Sequence, residues 1–180
     1  LALFHIEQRD FDRVLDLYDT RFRNLSSVVT QAQPDLYIDV QNASSMLFRL
    51  ERQGVPVGDR WNELAEKAIG RIGDCYSPFT LPHWMMALAG CERYDEARHM
   101  LNAMKLFGQG KGTNACIVEG IALPVTEAVL AHGLGEYDRA VDLMKPVLDR
   151  MFQLGGSHAQ QEVLEQVFLD SAVNAKRQGD

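Results

Sequence analysis

Histidines, cysteines and one glycine-rich loop are the residues of this 180-residue chain best suited to chemistry. The five histidines are His5, His83, His99, His132 and His158. A helical zinc site needs two imidazoles four positions apart on one face, and no pair has that spacing. His158 and Glu162 do share a helical face, but two ligands do not close a coordination sphere. His99 lies beside Arg98 in a polar stretch and reads as surface. A site that gathered His5, His83 and His158 with the acid Asp39 would suit an enzyme, or a protein that binds a metal or small molecule. That is the alternative reading of the polar residues. The sequence assigns no catalytic residue, no metal site and no cofactor.

Cys75, Cys91 and Cys116 are odd in number and lack metal-ligand spacing. They read as free thiols of a reducing compartment, which places the protein in the cytoplasm. The loop Gly108-Gln109-Gly110-Lys111-Gly112-Thr113 invites comparison with a phosphate-binding loop. That loop needs Gly-Lys-Ser/Thr contiguous, an earlier glycine five positions back, and a strand before it. Here Gly112 separates Lys111 from Thr113, Lys105 stands where the earlier glycine belongs, and both flanks are helical in pattern. The loop reads as a flexible linker. With 18 Lys and Arg against 25 Asp and Glu, the net charge is −7. No basic cluster is present, which argues against nucleic acid. The unbroken apolar runs are short, such as Met85 to Ala89, which argues against a membrane span.

The elements that would position these residues follow from a helix corner written three times. It reads Phe11-Asp12-Arg13-Val14, Tyr94-Asp95-Glu96-Ala97 and Tyr137-Asp138-Arg139-Ala140. Each copy joins two stretches of period 3.6, with Gly90 or Gly135 just upstream in two of them. An aromatic wedge, an acid in the first turn and a small residue three positions on suit two closely packed antiparallel helices. The three aspartates are structural in this reading.

The fold class expected is all-α: a tetratricopeptide-like α-solenoid of about four long helical hairpins plus a C-terminal capping helix. The pairs are 1–8 with 10–22, 39–53 with 59–72, 81–91 with 94–107, and 118–132 with 136–154. The hairpins thus cover about 1–23, 39–72, 80–107 and 117–154, with a final helix over 157–177. The linkers are 24–35, 73–78 and 108–114, and the only arguable strand, 37–40, reads as a helix start. Pro146 should bend its helix by removing one hydrogen bond. Gly155-Gly156 should end it, and Ser157 with Gln160 forms a capping box for the last helix. The corners recur at a step longer than the roughly 34 residues of a tetratricopeptide unit, so the helices are extended. Residues 1–180 form a single helical-repeat domain, and the uncapped start suggests a fragment of a longer protein.

In such arrays the first helix of each pair lines a concave groove. Counting back from the corner aromatic places Leu3 and Ile6, Met86 and Ala89, and Val129 and His132 on that face. It is an apolar face, suited to a protein or peptide, to further repeats of the same chain, or to a homodimer partner.

These segments resemble the tetratricopeptide repeat protein 38 family. The matching stretches are Leu1-Ala2-Leu3-Phe4-His5, Leu15-Asp16-Leu17-Tyr18-Asp19 and Ala43-Ser44-Ser45-Met46-Leu47-Phe48-Arg49-Leu50. To these add Val57-Gly58-Asp59-Arg60-Trp61, Gly120 to Pro124, and Gly155-Gly156-Ser157-His158-Ala159-Gln160. The resemblance is to the C-terminal half of a bacterial member and covers nearly the whole chain. Family members run longer at the N-terminus, and Gln161-Glu162 stands where they tend to have Arg-Asp. The resemblance implies a helical-repeat interaction module in the cytosol and carries no catalytic activity with it. The functional expectation is a non-catalytic scaffold for protein–protein interaction.

Overall fold

The computed structural model describes residues 1–178, and among them the chain is helical without strands. Helix α1 (Ala2–Glu7) turns into α2 (Phe11–Leu17), which widens into a π-helical turn over Tyr18–Phe22. A short α3 (Val28–Ala32) precedes α4 (Tyr37–Arg52) and α5 (Arg60–Gly70). Next come α6 (Leu81–Gly90) and α7 (Tyr94–Gly108). Helix α8 (Thr113–Ile117) runs through a π-helical turn, Val118–Ala122, into α9 (Leu123–Gly133). Helix α10 (Tyr137–Met144) continues as a 3-10 helix over Lys145–Leu154, and α11 (His158–Gln178) follows.

Four antiparallel pairs pack as hairpins: α1 with α2, α4 with α5, α6 with α7, and α9 with α10. Their first helices α4, α6 and α9 stand in a row, each against the next. Helix α6 is at the centre, and its residues from Leu81 to Leu88 are all buried, His83 among them. A helix that is apolar all round has no solvent face to offer, and Leu-Pro-His-Trp-Met-Met-Ala-Leu supplies none. Helix α11 packs on α10 as an end cap would, but it also reaches back to α9 and α4. Its buried stripe is Val163, Leu164, Val167 and Ser171. The last helix therefore covers part of the face formed by the first helices of the hairpins.

The corners share one backbone. Arg9, Glu92 and Gly135 have positive φ, and the next residues, Asp10, Arg93 and Glu136, have φ near −80° and ψ near 60°. Asp10 N donates to His5 O at 2.9 Å, Arg93 N to Leu88 O at 2.9 Å, and Glu136 N to Ala131 O at 2.8 Å. This six-to-one bond satisfies a carbonyl at the helix end, and the following helix starts on the aromatic. Three positions on, Val14, Ala97 and Ala140 are fully buried. The α4 end repeats the motif: Gly54 takes positive φ and Val55 N donates to Leu50 O at 3.1 Å. There Pro56 holds the aromatic's place, α5 starts only at Arg60, and Trp61 is the buried aromatic.

Several sequence expectations need correction. Gly90 is not the turn residue of its corner; Glu92 is, and a Cβ at Gly90 would stand 3.0 Å from the Trp61 ring. The 24–35 linker contains α3 and is fastened by Arg23, which donates to Pro34 O at 2.9 Å and pairs with Glu63. The 108–114 linker is shorter than expected, since Gly108 ends α7 and Thr113 already opens α8. Pro146 does not bend an α-helix; the chain changes to 3-10 at Lys145, where the missing N–H is tolerated. The capping box is half formed, with Ser157 N donating to Gln160 Oε1 at 2.9 Å. Finally, the helical run Thr113–Gly133 has the length and apolar content to cross a membrane, contrary to the reading of short apolar runs. More than half of it is buried inside the protein, as in a core helix.

Candidate functional site

The shared corner puts equivalent side chains on one face of successive first helices. On α6 these are Met86, Ala89 and Gly90, and on α9 they are Val129, His132 and Gly133. Both sets follow the i, i+3, i+4 spacing of one helix face. Counting from Gly54 instead of from an aromatic gives Phe48, Glu51 and Arg52 on α4. These nine residues, with Trp61 and Asp170 of α11, line one open cavity of about 320 Å³. Leu3, Ile6 and Glu7 hold the corresponding places on α1, and they line an adjoining cavity with Arg49, Arg52 and Glu162. Of the six expected groove residues, Met86, Ala89, Val129 and His132 thus meet in one cavity, and Leu3 and Ile6 meet in the next.

Two glycines make the packing possible. The Trp61 ring lies on Gly90, and a Cβ at Gly133 would come within 2.8 Å of Ala89 Cβ. On α6 and α9 this register position carries no side chain, and the neighbouring helix approaches there. The Trp61 indole Nε1 donates to Glu51 Oε1 at 3.0 Å. Burial raises the Glu51 carboxyl above its ordinary value, and the indole bond pulls it partly back. Arg52 turns to α11, where Nε donates to Asp170 Oδ1 at 3.2 Å and Nη1 to Gln166 Oε1 at 3.1 Å. The face is therefore less apolar than expected, because α4 and α11 bring Glu51, Arg52 and Asp170 to it.

His132 ties the cavity together. Its ring packs tilted on Phe48 and edge-on to Tyr137, each with centroids 5.6 Å apart. Nδ1 is 3.0 Å from Ser171 Oγ, which in turn donates to Val167 O at 2.8 Å. The serine hydrogen is thus committed to the carbonyl, so the imidazole Nδ1 must carry the proton and donate it. Nε2 faces Asp170 Oδ2 at 3.7 Å. Burial lowers the pKa of His132, with Asp170 opposing. Ser171, His132 and Asp170 have the composition of a hydrolase triad but not its polarity. A nucleophilic serine must give its proton to the histidine, whereas Ser171 receives one and is fully buried.

The alternative polar residues are not brought together. His5 bonds Asp10 across the first corner at 3.1 Å. His83 is fully buried in α6, its Nδ1 is 2.8 Å from Phe79 O, and burial pushes its pKa down to about 4. His158 is exposed at the start of α11, and Asp39 is half-buried in the first turn of α4. Among the described residues no three His, Cys, Asp or Glu are placed to hold a metal. Of the cavity lining, Phe48, Glu51, Arg52, Gly133 and Asp170 escaped the sequence reading, and Trp61 and Gly90 were read in other roles. The spacing of the α4 set was available as a signal, once Pro56 is allowed to replace a corner aromatic.

The site belongs to an all-helical chain whose hairpins repeat one corner and one cavity-lining register. No family model matches the chain, and no solved structure matches it.

Proposed function

We propose that the chain is a non-catalytic helical-repeat scaffold of the tetratricopeptide-like α-solenoid type. Its concave face binds a protein partner by seating one apolar side chain of that partner in the Phe48–Trp61–Met86–Val129 cavity. The carrying observation is the convergence of equivalent i, i+3, i+4 positions from three successive first helices on that cavity. Its volume is at the low end of ligand pockets, which run from about 300 Å³ upward, so it suits one anchor side chain. The likeness to the tetratricopeptide repeat protein 38 family supports the same reading. The protein works in the cytoplasm in this proposal, where three free thiols stay reduced.

The test is to select peptides from a random display library on the immobilised chain and measure them against Met86→Trp, whose indole would fill the cavity. Peptides with an apolar anchor should lose at least about tenfold in affinity, in line with loss of a buried anchor. Val129→Phe provides a second, milder filling should the first variant unfold. Selected peptides that bind both filled variants unchanged would overturn the proposal.

A further inference from the structure

We infer that the partner segment is cationic: its apolar anchors are flanked by lysine or arginine. This rests on the anchor reading above and adds to it the charge of the walls. Among the groups that line the main cavity, Arg52 is occupied by Asp170 and Gln166. His132 is taken up by Ser171 at Nδ1 and faces Asp170 across Nε2. Glu51 is left over. One oxygen takes the Trp61 indole proton, the other has no protein partner, and no cation lies within ion-pair distance among the described residues. The cavity thus combines an apolar floor with one uncompensated carboxylate at its rim.

The adjoining cavity, about 120 Å³, is smaller and more polar, and it too carries a free acid. Leu3 and Ile6 supply the apolar part, Arg49 is paired with Glu162, and exposed Glu7 has no ion-pair partner among the described residues. Arg52 lines both cavities, so they share a wall. Two neighbouring cavities that each join apolar side chains to an acid free of an ion pair fit one occupant, a peptide that alternates apolar side chains with cations. An acidic segment would meet Glu51 and Glu7 with like charge, and like-charge juxtaposition selects against wrong partners. Exposed rim carboxylates of this kind each contribute modestly, roughly one-and-a-half- to fivefold in affinity.

The experiment uses two blocked peptides, Ala-Lys-Phe-Lys-Leu-Lys-Ala and Ala-Glu-Phe-Glu-Leu-Glu-Ala, titrated into the 15N-labelled chain at low salt. The Trp61 indole N–H resonance reports occupancy, because that group stands in the cavity wall. The lysine peptide should bind about tenfold more tightly than the glutamate peptide. Glu51→Gln, whose amide oxygen can still accept from Trp61, should weaken it roughly threefold, as should 0.5 M salt. Glu7→Gln should act in the same direction and provides a variant remote from the indole. Equal affinity for both peptides, or unchanged affinity in both glutamine variants, overturns the cationic inference while the anchor reading stands. If neither peptide moves the Trp61 resonance, the anchor reading falls with it.

Discussion

His132 donates its Nδ1 proton to Ser171 Oγ at 3.0 Å, joining α9 to α11 across the cavity floor. Ser171 cannot return a hydrogen, since its own goes to Val167 O. The pair therefore fixes the imidazole tautomer and the seat of the last helix together. Ser171→Ala should leave a half-buried N–H without an acceptor and destabilise the protein by about 1–3 kcal/mol. Urea unfolding measures this directly. An unchanged midpoint would mean that α11 is held by its apolar stripe alone.

Buried His83 and half-buried His132 make stability depend on pH. Burial lowers both pKa values, His83 to about 4 from 6.5. The unfolded chain then binds more protons than the folded one in that interval, so stability falls as pH falls from 6.5 towards 4. His83 alone contributes roughly 3 kcal/mol of this loss, at 1.36 kcal/mol per pKa unit. His83→Asn, with an amide to reach Phe79 O, should flatten the pH profile and leave the smaller slope of His132. A profile identical to the wild type would show that His83 is not neutral in the fold.

The corners differ in strain although they share a backbone. Arg9 and Glu92 carry side chains at φ 57° and 55°, where Gly135 has none at φ 74°. Left-handed residues other than glycine cost roughly 1–2 kcal/mol. Glu92→Gly should therefore stabilise the protein by about 0.5–1 kcal/mol after the entropy cost of glycine, and Gly135→Ala should destabilise it by about 1 kcal/mol. Thermal unfolding of the pair should move in opposite directions. A shift of the same sign in both would sink the argument.

The corners were legible because everything they need is local. An aromatic, a small residue three on and a period of 3.6 lie within one turn of each other, and the helix bounds followed to within a few residues. That Met86, Ala89, Val129 and His132 share one cavity wall follows from the same local count, since it runs along one helix at a time. What escaped is the return of α11. Arg49 meets Glu162 and Arg52 meets Asp170 across 113 and 118 positions, and no local pattern announces such a pairing. Those contacts bring Glu162 and Asp170 to a face on which α4 already places Glu51 and Arg52. The turn glycine was misplaced because glycine serves two purposes here. Gly135 relieves a left-handed turn, while Gly90 and Gly133 admit a neighbouring helix, and the sequence writes both with the same letter.

That second role separates Gly133 from Gly120 in a direct comparison. Both lie in the helical run from α8 to α9, and neither has positive φ. An added Cβ at Gly120 meets nothing within 4 Å, whereas at Gly133 it would stand 2.8 Å from Ala89 Cβ. Ala89 has no side chain to swing aside, so relief requires α9 to move away from α6. Gly120→Ala should therefore gain the helix propensity of about 0.5–1 kcal/mol. Gly133→Ala should spend that gain on overpacking of about 1–3 kcal/mol and finish destabilised. Because Gly133 and Ala89 both line the cavity, the same displacement should also shift the Trp61 indole resonance, which Gly120→Ala should leave in place. Equal stability changes in the two variants would mean that α6 and α9 are not held at the separation on which the cavity depends.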